Sequence, residues 1–163
     1  MIVLVGFMGA GKTTVGRLLA AKLAVPFSDS DHVMELRAGK PVRQIFADDG
    51  EPAFRQLEHD VIADLLAKNE DMVLALGGGA AVHEGTRANL AHSKVPVVYL
   101  RVSYAEAMRR VGGDQDRPML ARPDVAQVYL DRDPRYAQAA TVTVDADDKT
   151  PEELVLGILA GLR

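Results

Sequence analysis

The stretch "GFMGAGKTT", Gly6 to Thr14, decides the fold. It follows directly on the apolar run Ile2–Val5 and fits the spacing G-x-x-x-x-G-K-S/T through Gly6, Gly11, Lys12 and Thr13. Glycines at those places permit a tight loop. Its backbone N–H groups, through Gly9, Ala10 and Gly11, would surround phosphate oxygens at the start of a helix. Lys12 would reach the β- and γ-phosphates, and the Thr13 hydroxyl would ligate Mg²⁺. A strand before the loop and a helical pattern from Lys12 to about Leu23 supply the context this motif requires. The loop predicts a nucleoside triphosphate site and leaves the phosphate acceptor open.

Outward from the loop, short apolar runs alternate with helical patterns. Strands are expected at Ile2–Val5, Val25–Ser28, Met72–Leu76, Val97–Val102 and Thr141–Val144. Helical segments run to about Lys68, and further helices are expected at Glu84–Ala91, Tyr104–Val111 and Pro151–Leu162, with another before the last strand. This alternation predicts an α/β fold: a five-stranded parallel sheet between two layers of helices, with ligands beyond the carboxyl ends of the strands. With 163 residues and neither a repeat nor a linker, one domain over 1–163 is expected.

Composition narrows the partners. The net charge of −4, without a basic block, disfavours a long polyanion, so no nucleic acid partner is expected. The absence of cysteine excludes disulfides and thiolate metal sites. No apolar run approaches the roughly 18 residues of a membrane span, and "MIVLVG" lacks the charged start of a signal peptide. A soluble, cytoplasmic protein is expected. The size suits a small-molecule or nucleotide kinase better than a motor, and no guanine-reading motif is found.

The strand in "MVLALGGGAAV", Met72 to Val82, runs straight into Gly77, Gly78 and Gly79. Three missing side chains where a strand leaves the core imply close approach to the backbone, or else a plain flexible turn. This strand end offers no carboxylate for a metal. The end of strand two does: "VPFSDSDHV" holds Asp29 and Asp31 two residues apart, a spacing that points both the same way in extended chain. One could face Mg²⁺ and the other an acceptor hydroxyl. The alternative is that Asp31 caps the next helix and Asp29 is solvated.

In "EPAFRQLEHDVIADLLAK", Phe54, Leu57, Val61, Ile62, Leu65 and Leu66 fill one helical arc, opposite Gln56, Asp60, Ala63 and Asp64. Arg55 and Glu58 fall inside the apolar arc, three residues apart. Burying a charge there needs a reason. Either they form a structural pair, or Glu58 orients Arg55 toward an anionic acceptor, whose carboxylate a guanidinium suits.

Six markers, "GFMGAGKTTVGR", "DSD", "IFADDGEPAFRQLE", "GGG", "DRPML" and "RDPRY", resemble those of shikimate kinases over nearly the whole chain. The resemblance implies a three-layer fold of the nucleoside monophosphate kinase group. It also implies transfer of the ATP γ-phosphate to the 3-hydroxyl of shikimate, in chorismate and aromatic amino acid biosynthesis. By position, Lys12, Thr13 and Thr14 would handle phosphates and Mg²⁺, with Asp29 assisting the metal. Asp31 would hold ring hydroxyls and orient or deprotonate the nucleophile. Arg55 and Arg132 would clamp the carboxylate, and Phe46 and Phe54 would line the ring pocket within a substrate-binding segment of about 31–61. Arg117, in a closing lid of about 112–124, would reach the transferred phosphate. Arg110 and the segment around Pro151 would lie against adenine. The glycines would let the ring sit against the strand end, with Gly78 and Gly79 N–H groups as donors.

This sequence is about one helical turn shorter than the family between "RPML" and "RDPRY", and Arg135 stands where an apolar residue is usual. Arg132 holds the R-x-P-x-Y position and is taken as the clamp, with Arg135 the alternative. A monomer is expected. The rival readings are a kinase of gluconate or of a nucleoside monophosphate, and a nucleotide-gated binding module without catalysis.

Overall fold

The computed structural model describes residues 1–112 and 122–163. Its sheet has five parallel strands in the order β2-β3-β1-β4-β5: β1 Ile2–Val5, β2 Phe27–Asp29, β3 Val73–Ala75, β4 Val97–Arg101 and β5 Val142–Asp145. Helices α1 (Lys12–Leu23) and α7 (Pro151–Gly161) pack together on one face. Helices α3 (Val42–Lys68), α4 (Glu84–Ser93) and α6 (Val125–Ala139) pack on the other. Helices α2 (Ser30–Ala38) and α5 (Tyr104–Val111) follow β2 and β4 at the strands' carboxyl ends. Val3, Leu4, Val73, Leu74, Val98 and Leu100 are fully buried, as a sheet covered on both faces requires.

The predicted strands and helices are found with ends displaced by one or two residues. One displacement matters. Strand β2 reaches Asp29, and the chain turns helical at Ser30. Asp29 and Asp31 are therefore not an extended pair one pleat apart, as the spacing had suggested. Asp29 ends the strand and Asp31 lies in the first turn of α2. Asp29, not Asp31, is the cap: its Oδ1 accepts from the Asp31 N–H at 3.0 Å.

The register places the functional motifs side by side. Asp29 pairs with Ala75, which pairs with Leu4, so the ends of β2, β3 and β1 lie adjacent in the sheet. Asp29–Asp31, Gly77–Gly79 and the phosphate loop thus lie together although some 70 residues of chain separate the first motif from the last. The neighbours of β1 are β3 and β4, the switch point where an open parallel sheet forms its crevice.

Helix α3 is two helices joined at Gly50, whose φ of 78° and ψ of 169° break the helical path. Pro52 follows in the first turn of the second piece, where its missing N–H costs little. The break re-aims the chain, so that Phe54 and Glu58 turn inward. Most of the expected arc is observed: Phe54, Glu58, Val61, Ile62, Leu65 and Leu66 are buried and Gln56, Asp60 and Asp64 exposed, while Arg55, Leu57 and Ala63 are half-buried.

Candidate active site

The phosphate loop joins β1 to α1 with Gly9 at φ 77° and Gly11 at φ 90°, left-handed values that favour glycine. Gly11 is the N-cap of α1, and its carbonyl accepts the first helical bond from Val15 N. Ala10 is buried, and Thr14 lies exposed in the first turn of α1. The Lys12 ammonium donates to the carbonyls of Gly6 (2.8 Å) and Phe7 (3.0 Å), which holds it against the loop.

Thr13 Oγ1 donates to Asp29 Oδ2 at 3.2 Å. A hydroxyl and a carboxylate in contact beside a phosphate loop are a hard-oxygen donor set. Mg²⁺ commonly takes one or two protein oxygens and completes its shell with phosphate and water. The residues present fit that ion.

Three charged side chains gather at the glycine turn. Asp31 is half-buried, and its carboxyl is pushed up to about 6, first by burial and then by Asp29, with Lys12 opposing. Glu58 is 2% exposed, and burial raises its pKa against the pull of Arg55. Arg55 Nη1 donates to Glu58 Oε2 at 2.6 Å, and Arg55 Nε lies 3.7 Å from Glu51 Oε1. The guanidinium also stands 5.0 Å from the Phe54 ring centroid and 5.9 Å from that of Phe46, whose rings are 4.3 Å apart. The aromatic pair and Glu58 brace Arg55 from several sides.

The reason for the triple glycine is now visible. None of the three has a positive φ, so the requirement is space and not conformation. A Cβ at Gly77 would stand 2.6 Å from Asp31 Oδ1 and 2.9 Å from Glu58 Oε1, and one at Gly79 would stand 2.5 Å from Arg55 Cζ. The first claimants on that space are the protein's own charged groups. Over Gly78 the nearest atom is Arg132 Nη1, at 3.7 Å.

Arg132 therefore comes to the glycine turn, whereas Arg135 is exposed and donates to the Val82 carbonyl at 3.3 Å. The shorter segment before "RDPRY" does not keep Arg132 from the site. Arg110 ties the phosphate loop to the turn after β5: Nη1 donates to Gly9 O (3.2 Å), Nη2 to Ala146 O (2.8 Å) and Nε to Glu106 Oε1 (2.7 Å). Its bonds with Arg109 and Arg110 hold the Glu106 carboxyl down at about 2. Pro151 opens α7 behind the capping box of Thr150 and Glu153. Arg117 and most of the expected lid lie outside the described residues.

Sequence reading passed over two groups. Ser30 is fully buried, and its Oγ accepts from Gly77 N at 3.0 Å, tying the two strand ends together. Tyr136 is buried and its hydroxyl donates to the Gly78 carbonyl. Both lie inside quoted motifs, and a hydroxyl-bearing residue among charged ones was the available signal.

Comparison with known proteins gives the family. A family model described as shikimate kinase matches residues 8–163. The chain belongs to the shikimate kinase family. A shikimate kinase of Thermobifida fusca is 49% identical over 156 residues, covering 94% of this chain and 89% of its own length. The structure of a shikimate kinase from Acinetobacter baumannii in complex with shikimate superposes with a TM-score of 0.91 at 38% identity, covering 99% of this chain and 91% of that one. A gluconokinase from Sinorhizobium meliloti shares the fold more distantly, with a TM-score of 0.64 at 25% identity, covering 99% of this chain and 90% of that one. This favours the shikimate kinase reading over the gluconate alternative. Among the described residues, no helix is long and apolar enough to cross a membrane.

Proposed function

We propose that the chain transfers the γ-phosphate of ATP to the 3-hydroxyl of shikimate, giving shikimate 3-phosphate and ADP. The observation that carries this reading is the convergence of Asp31, the Arg55–Glu58 pair and Arg132 on the Gly77–Gly79 turn, beside a phosphate loop. A hydroxyl-bearing ring with one carboxylate matches that set of groups: guanidinium for the acid, carboxylate and backbone N–H for the hydroxyls.

Phosphoryl transfer has a loose transition state, so positioning and charge neutralisation supply most of the catalysis. Lys12 and the N–H groups of Gly9, Ala10, Gly11, Thr13 and Thr14 hold the phosphates. Arg110 and the Pro151 turn flank the adenine. Arg55, steadied by Glu58, and Arg132 fix the acceptor's carboxylate, with Phe46 and Phe54 against its ring. Asp31 accepts the hydroxyl proton late in the transfer. Thr13 and Asp29 would hold Mg²⁺, which would supply charge neutralisation at the phosphates. The chain acts as a monomer in this reading, and the need for ATP suits a cytoplasmic enzyme. A coupled ADP-release assay across shikimate, gluconate and nucleoside monophosphates tests the reading: turnover on shikimate alone is expected, and preference for another acceptor overturns it.

Asp29→Asn is expected to raise the Mg²⁺ concentration for half-maximal rate about tenfold or more, with shikimate affinity nearly unchanged. Asparagine keeps the cap on α2, so folding is retained and the effect isolates the metal. A Mg²⁺ titration checks it.

Arg117 is assigned to the transferring phosphate, in the lid of about 112–124. Arg117→Ala is expected to lower kcat about 100-fold or more. The dissociation constants of shikimate and ATP should each move less than about threefold, or roughly 0.7 kcal/mol. Arg122 is the control, because it is exposed and engaged with Asp124 at 2.8 and 2.7 Å. Kinetics and binding on both alanine variants decide the assignment.

A further inference from the structure

Tyr136 carries a hydroxyl that the mechanism above does not use. It is 1% exposed, on α6, and donates to the carbonyl of Gly78, 58 residues earlier. Arg132 precedes it by one helical turn on the same face, and its Nη1 is the nearest group to the space over Gly78. Burial pushes the Tyr136 phenol up to about 12 against the Arg132 guanidinium, so the hydroxyl stays a proton donor throughout the working range of pH.

Helix α6 is itself held from the sheet. Pro134 removes one of its backbone hydrogen bonds. The Tyr99 hydroxyl, from β4, donates to Asp133 Oδ1, and the Tyr99 and Tyr136 rings pack with centroids 5.3 Å apart. Two buried tyrosines thus tie the Arg132 turn of α6 to the sheet and to the glycine turn.

The consequence follows from peptide geometry. The Gly78–Gly79 peptide is planar and trans, so the Gly78 carbonyl and the Gly79 N–H lie in one rigid plane, pointing opposite ways. Whatever grips the carbonyl aims the N–H. Among the described residues, no protein group accepts from the Gly79 N–H. Glycine on both sides leaves this plane free to rotate unless something holds it.

We infer that Tyr136 is a positioning residue for the acceptor: by holding the Gly78 carbonyl it aims the Gly79 N–H at a hydroxyl of the substrate while its helix presents Arg132 to the carboxylate. This rests on the functional reading above. The anchor makes the glycine turn a preorganised donor, whereas a bare triple glycine would have to be ordered on binding.

Tyr136→Phe tests the inference, since it removes one oxygen and keeps the ring. The dissociation constant of shikimate should rise about tenfold, that of ATP should stay within about twofold, and kcat at saturating shikimate should stay within about threefold. In ¹⁵N-glycine-labelled protein, the Gly79 amide should shift on adding shikimate to the wild type and shift much less in the variant. Unchanged shikimate affinity in a folded variant, or equal loss for both ligands, overturns the inference. If Tyr136→Phe does not fold, Tyr99→Phe carries the test, with shikimate affinity about threefold weaker and ATP affinity unchanged. No change there also overturns it. Failure of the wild type to bind shikimate would instead sink the functional reading, and is seen before any variant is made.

Discussion

Asp31→Asn is expected to lower kcat by about 100- to 10,000-fold, with the Mg²⁺ response retained. The carboxylate stands at the glycine turn with its pKa raised to about 6, chiefly by burial and next by Asp29. A base poised near the working pH combines a useful ionised fraction with real proton affinity. In the wild type, kcat/KM should therefore rise as pH climbs through about 6 and level off above it. In the asparagine variant that limb should vanish.

The same shift has a consequence for stability, with the opposite sign. The folded value lies above the ordinary 3.8, so the folded state keeps its proton over a range where the unfolded chain has released it. Folding stability from this group is fully present below about pH 4 and is lost as pH rises through about 6. At neutral pH the loss approaches 2–3 kcal/mol, an upper figure because the side chain is only half-buried. Asp31→Asn should then be more stable than the wild type at pH 7.5 and nearly equal to it at pH 4. Urea unfolding at the two pH values, with chelator present, reads this directly. A variant both crippled and stabilised is the expected mark of a carboxylate kept for chemistry. Equal stability at both pH values would remove Asp31 from the role of tuned base.

Arg55→Ala is expected to weaken shikimate binding by about 2–4 kcal/mol, some 30- to 1,000-fold, with ATP affinity nearly unchanged. The structure adds a second effect. Glu58 is 2% exposed and has Arg55 as its partner at 2.6 Å, so the variant leaves a buried carboxylate unpaired. Breaking a buried pair from one side costs about 3–5 kcal/mol unless the remaining group takes up a proton. Arg55→Ala should thus lose stability as well as affinity, and more of it as pH rises. Arg55→Ala combined with Glu58→Gln should recover the stability and not the affinity. Titration calorimetry and thermal unfolding on the single and double variants separate the two. Loss of ATP affinity with shikimate binding intact would overturn the assignment of Arg55.

How much of this was legible in the chain depends on the distance over which each feature acts. The phosphate loop could be read because its geometry is built by consecutive residues, with the motif glycine Gly11 taking a left-handed value. The placement of Arg55 and Glu58 could be read because helical period reports which residues share a face, and Glu58 is buried there as expected. The sheet followed from the alternation of short apolar runs with helices.

Where Asp29 and Asp31 point could not be read, because the strand's end at Asp29 is set by pairing with Ala75 in β3 and by the cap on Asp31 N, not by spacing. Between Arg132 and Arg135 the sequence favoured Arg132 only through its place in R-x-P-x-Y; it is the packing of α6 that sends Arg132 to Gly78 and Arg135 to the Val82 carbonyl. The triple glycine announced that something comes close. What comes close is Asp31, placed by the pairing of β2 with β3, and Arg55 and Glu58, placed by the packing of α3, from positions 19 to 46 residues away. By itself the sequence determined the elements, the loop that holds phosphate and the charges that needed partners. The tertiary structure alone decided which charge meets which backbone, because the order of strands and the packing of helices on the sheet join residues that no local period relates.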